Sequence, residues 1–474
     1  MTPVSPRFAG LSQRWLWIVY GLMLAVAVGL FFLIRSYGQT LTAPAVQSLE
    51  THPSSAPLTG GALFHVLLAL ATVIVAGWCL CAGFRFLGQP PVIGEVVAGI
   101  LLGPSFLGQV WPDGASFLLP SSVAPYLGVL SQVGVILYMF LVGIELNPAI
   151  LRERADATVA TSHASIVVPF VLGAALALPL YTRYSTEGVS FTDFALFLGV
   201  AMSITAFPVL ARILTDRGMQ KTSLGMVALA CAATDDVTAW CLLAFVVGVV
   251  HAKVGGALLV VLLTLGYIGV MVLLVRPMAK RFLPIDSDAA AERRTVATIL
   301  VAVLLSALVT ESIGVHAIFG AFLFGAIIPH NSRLAQNLTH KMEDLVTVLL
   351  LPAFFAFTGM RTRIDLVAGA GDWLICGAII LVATAGKFGG SCLAARMTGI
   401  PWRESAALGI LMNTRGLMEL IVLNVGLDLG VLTPALFAMM VIMAITTTML
   451  TTPVLEWLRA DNDLQALSSQ FLHK

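Results

Sequence analysis

The 474-residue chain is 58% hydrophobic and 11% charged, with a mean hydropathy of +0.96 and a formal net charge of +1. A soluble domain carries about 25% charged residues, so this chain cannot cover a water-facing surface. A soluble enzyme, a nucleic-acid binder and a disordered scaffold are excluded, which leaves a polytopic membrane protein with no bulk field to steer an acidic partner.

A spanning helix needs about 20 mostly apolar residues. The first such run, Trp15–Ile34, lies between Arg14 and Arg35. It is long for the apolar region of a signal peptide and no clear A-x-A site follows, so a retained helix is predicted. A Ser/Thr/Pro/Ala-rich external linker over 35–60 completes an N-terminal unit, 1–61. The membrane domain, 62–458, holds predicted spans at 62–84, 92–110, 127–147, 157–181, 191–212, 222–251, 254–275, 295–311, 314–330, 344–360, 373–397, 404–427 and 432–457. With the first, that makes fourteen, all helical because lipid offers no partner to an open sheet edge. A short tail, 459–474, remains. The six cysteines lie inside apolar runs, where they read as small packing residues, not as metal ligands or a disulfide framework.

Lysines and arginines orient the chain. With the N-terminus inside, 19 of the 26 fall on inner loops and helix ends, five fall outside (Arg35, Arg183, Lys253, Arg361, Arg363), and two lie within spans. This positive-inside bias supports an even number of helices, with both termini cytoplasmic and the chain in the cell (inner) membrane.

The membrane domain contains a weak internal repeat. Residues 94–104 (GEVVAGILLGP) and 319–329 (FGAFLFGAIIP) are small-residue helices ending in Pro. The span after each also matches, 140–148 against 355–363, and pairs Gly143 with Gly359. Two spans further on, each copy has an interrupted helix, at 203–208 (SITAFP) and at 412–416 (MNTRG). The copies are an odd number of crossings apart and so are inverted. Inverted repeats with broken helices near the midplane mark secondary transporters.

Charges inside spans are costly, about 2.5–3.5 kcal/mol each on insertion scales, and point to function. Asp235 and Asp236 sit mid-span in 222–251, Lys387 mid-span in 373–397, and Arg415 and Glu419 in the second broken helix; Glu95 and Glu145 lie nearer span ends. Neighbouring residues diverge by about 100° around a helix, so Asp235 and Asp236 cannot face one point. One can pair with a cation such as Lys387 while the other faces an aqueous cavity and exchanges a proton for a small cation. Ser203, Thr205, Asn413, Thr414 and the carbonyls freed at the breaks offer oxygen ligands suited to Na⁺ or K⁺, and half-helix ends add partial charges. The simpler reading of each hydroxyl is packing or back-bonding to its helix. For Arg415 and Glu419 it is an i,i+4 ion pair, for His163 and His316 an ordinary hydrogen bond, and for Glu145 an interfacial charge.

At these residues the chain resembles the monovalent cation:proton antiporter-2 family, which includes bacterial KefB-type exchangers and plant cation/proton exchangers. The matching stretches are 89–104 (QPPVIGEVVAGILLGP), 203–214 (SITAFPVLARIL), 232–240 (AATDDVTAW), 314–322 (GVHAIFGAF) and 412–426 (MNTRGLMELIVLNVG). The resemblance covers about 62–458. It implies a thirteen-helix all-α fold, here with an added N-terminal helix. A dimerisation domain and a six-helix core make up that fold, the two broken helices cross at the ion site, and the core moves like an elevator. It implies Asp236 as the ion- and proton-binding carboxylate, Asp235 as its partner, and Lys387 as the lysine that pairs with it. The Asp-Asp form is the one associated with electrogenic exchange. It also implies a homodimer. Some members add a C-terminal nucleotide-binding domain; about 17 residues follow the last span here, so nucleotide gating is not expected.

The expectation is therefore a secondary antiporter of Na⁺ or K⁺ against H⁺, not an enzyme, without cofactor or nucleic acid. An organic-solute symporter on the same scaffold is the main alternative. A cation channel lacks the repeated filter or charge ring it would need. An intramembrane aspartyl protease needs carboxylates converging on one water, usually from different helices.

Overall fold

The computed structural model describes residues 13–44, 62–145, 155–220, 222–251, 257–282, 289–328 and 332–471. Most of the external linker, the ends of the repeat at Asn147, Pro148 and Pro329, and Arg7, Arg152, Arg154, Lys221, Lys253 and Lys474 of the topology argument lie outside these residues. Among the described residues every regular element is helical.

The helices are α1 (Gln13–Gly38), α2 (Ala62–Phe86), α3 (Pro91–Leu102), α4 (Ala124–Glu145), α5 (Ala155–Tyr184), α6 (Phe191–Ser203), α7 (Phe207–Asp216), α8 (Ser223–His251), α9 (Ala257–Val270) and α10 (Ala289–Ile313). Then come α11 (Ala317–Ile327), α12 (Leu351–Arg361), α13 (Gly369–Thr384), α14 (Trp402–Met412), α15 (Leu417–Asp428) and α16 (Pro434–Phe471). Three helices are extended through π-helical turns: α9 through Met271–Val275 into Arg276–Phe282, α12 from Arg333–Asp344 through Leu345–Leu350, and α13 through Ala385–Gly389 into Gly390–Met397.

Twelve spans pass on length and apolarity, and the bent pair α14–α15 makes a thirteenth. The span predicted at 314–330 is realised as α11, whose 11 residues reach about half the hydrocarbon thickness. Its partner in the repeat, α3, is equally short: the helix stops at Gly103–Pro104 and short turns lead on to α4. Both short helices bury most of one face against neighbours, so protein rather than lipid receives their ends.

Packing sorts the helices into two bodies. In one, α3 lies against α2 and α12, and α11 lies against α4 and α10. Glycines set these contacts. A Cβ on Gly99 would strike the Phe355 carbonyl, and one on Gly359 would strike the backbone of Gly99. A Cβ on Gly143 would strike the Phe322 carbonyl, and one on Gly325 the Phe140 carbonyl. The two copies of the repeat therefore clasp each other twice, α3 on α12 and α11 on α4, through the small-residue approach that membrane helices favour. The glycine pair matched by sequence, Gly143 and Gly359, occupies equivalent places.

The second body groups α5, α6–α7, α8, α13, α14–α15 and α16, which is six spans. Helix α1 packs on its outside against α5, where Tyr20 meets His163 edge-on with ring centroids 5.3 Å apart. Helix α9 links the two bodies, touching α8 on one side and α10 on the other.

Candidate functional site

The two interrupted helices meet inside the six-span body. Helix α6 ends at Ser203 and α7 begins at Phe207; α14 ends at Met412 and α15 begins at Leu417 after a 45° bend. Pro208 in the first turn of α7 lacks an N–H to continue the upstream helix. Gly416 begins the second half-helix, and a Cβ there would lie 2.6 Å from Val209 of α7. The short segments between the half-helices meet. The Ala206 N–H donates to the Thr414 carbonyl at 3.0 Å, and Thr205 Oγ1 donates to the Met412 carbonyl at 3.3 Å.

Beside this crossing α8 presents its two aspartates, both buried. Asp235 is fully partnered. Its Oδ1 accepts from Ser162 at 2.6 Å, and its Oδ2 accepts from Ser165, from Thr205 at 2.9 Å and from Lys387 Nζ at 2.9 Å. Lys387 is 0% exposed and also donates to Ser165 at 3.2 Å. The π turn brings it there. Gly386 and Gly390 abut Pro169 and Ala164 of α5 so closely that a Cβ on either would come within 2.8–2.9 Å.

Asp236 is 2% exposed, and neither carboxylate oxygen has a hydrogen-bond partner. The Phe207 amide at the start of α7 lies near it but does not reach hydrogen-bond geometry. The two carboxylates thus divide as neighbours on a helix must, one neutralised and one left alone.

Of the other sequence candidates, Asn413 is buried with both side-chain polar atoms unpartnered. Ser203 bonds to the carbonyls of Ile166 (3.0 Å) and Gly199 (2.7 Å), and Thr414 to that of Leu411 (2.7 Å), so both hydroxyls take the back-bonded arrangement. Arg415 makes the expected pair with Glu419 at 2.9 Å and does more. It donates to the carbonyls of Ala201 (3.1 Å) and Met202 (2.7 Å) in the last turn of α6. A cation therefore caps the negative end of one half-helix, and a carboxylate lies in the first turn of the other. His316 Nδ1 accepts from the Ile318 amide at the start of α11, and Glu145 lies exposed at the end of α4. Ser162 and Ser165 were not singled out from sequence. Their one visible signal is an i,i+3 pair of small polar residues on one face of an apolar span.

A cavity of about 280 Å³ leads to the crossing, walled by Pro91, Tyr138, Ala206, Val209, Leu417 and Met418. A second, of about 450 Å³, shares Arg85, Pro91 and Arg212 with it and continues outward. Asp236 lines neither. Among the described residues no three or more His, Cys, Asp or Glu are grouped to hold a metal ion.

An all-helical membrane protein with inverted repeats, two crossing broken helices and a buried carboxylate between them has the architecture of a secondary ion transporter. The family profile "Sodium/hydrogen exchanger, transmembrane" matches residues 69–458. The chain is 46% identical over 395 residues to the Na(+)/H(+) antiporter NhaS4 of Synechocystis, covering 82% of this chain and 96% of that protein. It is 39% identical to Cation/H(+) antiporter 20 of Arabidopsis thaliana and 33% identical to K(+)/H(+) antiporter 1 of Saccharomyces cerevisiae, over 82% and 86% of its own length. The chain spans about half the length of those two relatives, 48% and 47%. Its fold matches the sodium proton antiporter MjNhaP1 of Methanocaldococcus jannaschii with a TM-score of 0.63 at 14% identity, over 83% of this chain and 99% of that one. The chain belongs to the transmembrane sodium/hydrogen exchanger family.

Proposed function

We propose that this protein is a monovalent cation/proton antiporter that binds Na⁺ or K⁺ and H⁺ in competition at Asp236. The observation that supports this reading is the orphaned Asp236 carboxylate at the helix crossing. An ionised carboxylate left alone in a dry site costs several kcal/mol. A proton or a cation must therefore accompany it, and one displaces the other. That mutual exclusion is the chemistry of exchange. The cation's remaining ligands would be oxygens, with Asn413 Oδ1 the side-chain candidate and the carbonyls of the two breaks beside it.

Asp235 and Lys387 supply a second charge system. With Asp236 holding a cation, Asp235 and Lys387 stay paired; when the cation leaves, protons load the carboxylates or Lys387 changes its own protonation. Two protons for one cation move net charge, which makes exchange electrogenic. The organic-solute symporter receives no supporting observation. Asp236 borders neither cavity near the breaks, which leaves it no space for an organic solute. We place the protein in the cell membrane with both termini cytoplasmic, working as a transporter without enzymatic chemistry, as a homodimer.

The test is proton flux in proteoliposomes, followed by dequenching of a pH dye on adding Li⁺, Na⁺, K⁺ or Rb⁺. Wild type should respond, and Asp236→Asn, which keeps shape but loses the titratable oxygen, should be inert while still folded. Cation-driven flux in that variant removes Asp236 from the role.

A further inference from the structure

The two bodies meet along a seam, and the two ends of the seam are built differently. At the end carrying Arg85 and Arg212, the cavities described above separate α2–α3 and α4 from α7. One link crosses there, from Arg217 Nη2 to the Gly88 carbonyl at 3.2 Å, which is backbone and open to solvent. At the opposite end side chains of the two bodies bond to one another. Arg361, the last residue of α12, donates from Nη1 to Asn424 Oδ1 at 3.2 Å and from Nη2 to Asp428 Oδ1 at 2.5 Å. Asn424 in turn donates from Nδ2 to Thr358 Oγ1 at 2.9 Å. Thr358 and Arg361 belong to the clasped body; Asn424 and Asp428 belong to α15, the half-helix that follows the second break. Asn424 is 7% exposed and Thr358 2%. The Arg361 guanidinium lies 5.0 Å over the Phe357 ring, which fixes its direction.

Beside these links lies another cavity of about 280 Å³, bordered by Gln132, Glu311, His316, Asn424 and Asp428. It is bounded by the start of α11 and by α15. These are the repeat counterparts of α3 and α7, which border the cavity at the other end. The pseudo-symmetry of the chain therefore supplies two vestibules, one at each end of the seam. One reaches the helix crossing. The other has three side-chain bonds beside it that run from one body to the other.

We propose that Arg361, with Asn424, Asp428 and Thr358, is a gate latch: it holds the two bodies together at this end and must release for the Asp236 site to open there. The proposal rests on the exchanger reading, in which the site opens alternately to the two faces. Arg361 is thus a positioning residue. It touches no transported ion and biases the equilibrium between the two open states.

Two experiments test it. In the first, Thr358→Cys is combined with Asn424→Cys, positions whose native side chains touch, and exchange is compared in the same protein before oxidation, after it and after reduction, with cross-linking quantified by mass. The latch predicts that exchange stops when the bridge forms and returns when it is reduced. In the second, Arg361→Gln and Asp428→Asn are assayed for apparent cation affinity from each face separately in oriented vesicles. The latch predicts affinity about fivefold or more tighter at the Arg361 face and weaker at the other. A structural staple would lower stability without this opposed shift. A cross-linked protein that exchanges at its reduced rate, or affinities unchanged on both faces, overturns the latch. Wild-type vesicles with no cation-driven proton flux would overturn the exchanger reading itself, a result read separately from either variant.

Discussion

Asp235 and Asp236 are chemically identical neighbours, and their surroundings give them different work. Asp235 accepts from three hydroxyls and a lysine, while Asp236 accepts from nothing. Removing one partner of a buried pair typically costs about 3–5 kcal/mol, because the other charge stays buried. Lys387→Ala should therefore lower the thermal midpoint in detergent, and adding Asp235→Asn to it should restore most of the loss. A double variant no more stable than Lys387→Ala would show that the pair does not set the stability of this region. The same pair bears on charge movement. One elementary charge across 100 mV is worth about 2.3 kcal/mol. An imposed potential should accelerate wild-type exchange, whereas Asp235→Asn should leave one-for-one exchange indifferent to potential. A wild-type rate that ignores the potential would return Asp235 to a purely structural role.

At the scale of elements, three devices place the site: a break, a π turn and a glycine clasp. The breaks free backbone groups at depth in the membrane. The Ala206 N–H is answered by the Thr414 carbonyl, and Thr448 bonds both the N–H and the carbonyl of Arg415. The π turn at Ala385–Gly389 carries Lys387 inward from a helix that otherwise faces α16 and α5. The clasp of α3 on α12 tolerates no side chain. Gly359→Ala would drive a Cβ into the Gly99 backbone, an overpacking that costs typically about 1–3 kcal/mol. Its signature should be reduced stability with an unchanged pH dependence of exchange, since Asp236 lies in the other body. A shifted pH profile in that variant would show that the clasp reaches the ion site.

For the whole molecule, one body clasped by its inverted halves and another holding the crossing is the division that rigid-body alternating access needs. The clasp joins α3 to α12 and α11 to α4 through backbone contacts, whereas the seam carries cavities at both ends and a small set of polar links. We expect the clasped body to be the dimer partner. Native mass spectrometry from mild detergent should give about twice 50.2 kDa plus lipid; a monomer that exchanges at full rate would take dimerisation out of the mechanism. The proposed competition at one carboxylate has a bulk consequence too. Apparent KM for the cation should rise as pH falls on the same side, by up to about tenfold per unit when one proton displaces one cation. A KM that ignores pH would contradict a shared site.

The class of protein, the spans, the two breaks and the identity of the buried charges can be read from residue order. Those features are local. A long apolar run, a Pro after a polar tripeptide and a charge at the centre of a span each carry their own cost in lipid, whatever packs around them. Family motifs at 89–104, 203–214 and 412–426 implied that the breaks cross, and the structure brings Ala206 and Thr414 within hydrogen-bond reach. Residue types and spacing leave open which aspartate is paired; the resemblance implied roles for the two, and the packing shows Asp235 on Lys387, because pairing depends on the rotation of α8 relative to α5 and α13. Tertiary structure also decided that Ser162 and Ser165 serve Asp235, that Ser203 and Thr414 turn to their own backbone, and that Arg415 reaches across to α6. Arg361 reads in the sequence as one of five outer cations; only the tertiary placement of α12 and α15 puts it 3.2 Å from Asn424, across the seam. The contacts of Asp235 with Ser162, Ser165 and Lys387, of Arg415 with α6 and of Arg361 with Asn424 join residues more than sixty positions apart, where helix rotation and tilt, fixed by all the neighbours at once, choose the partner.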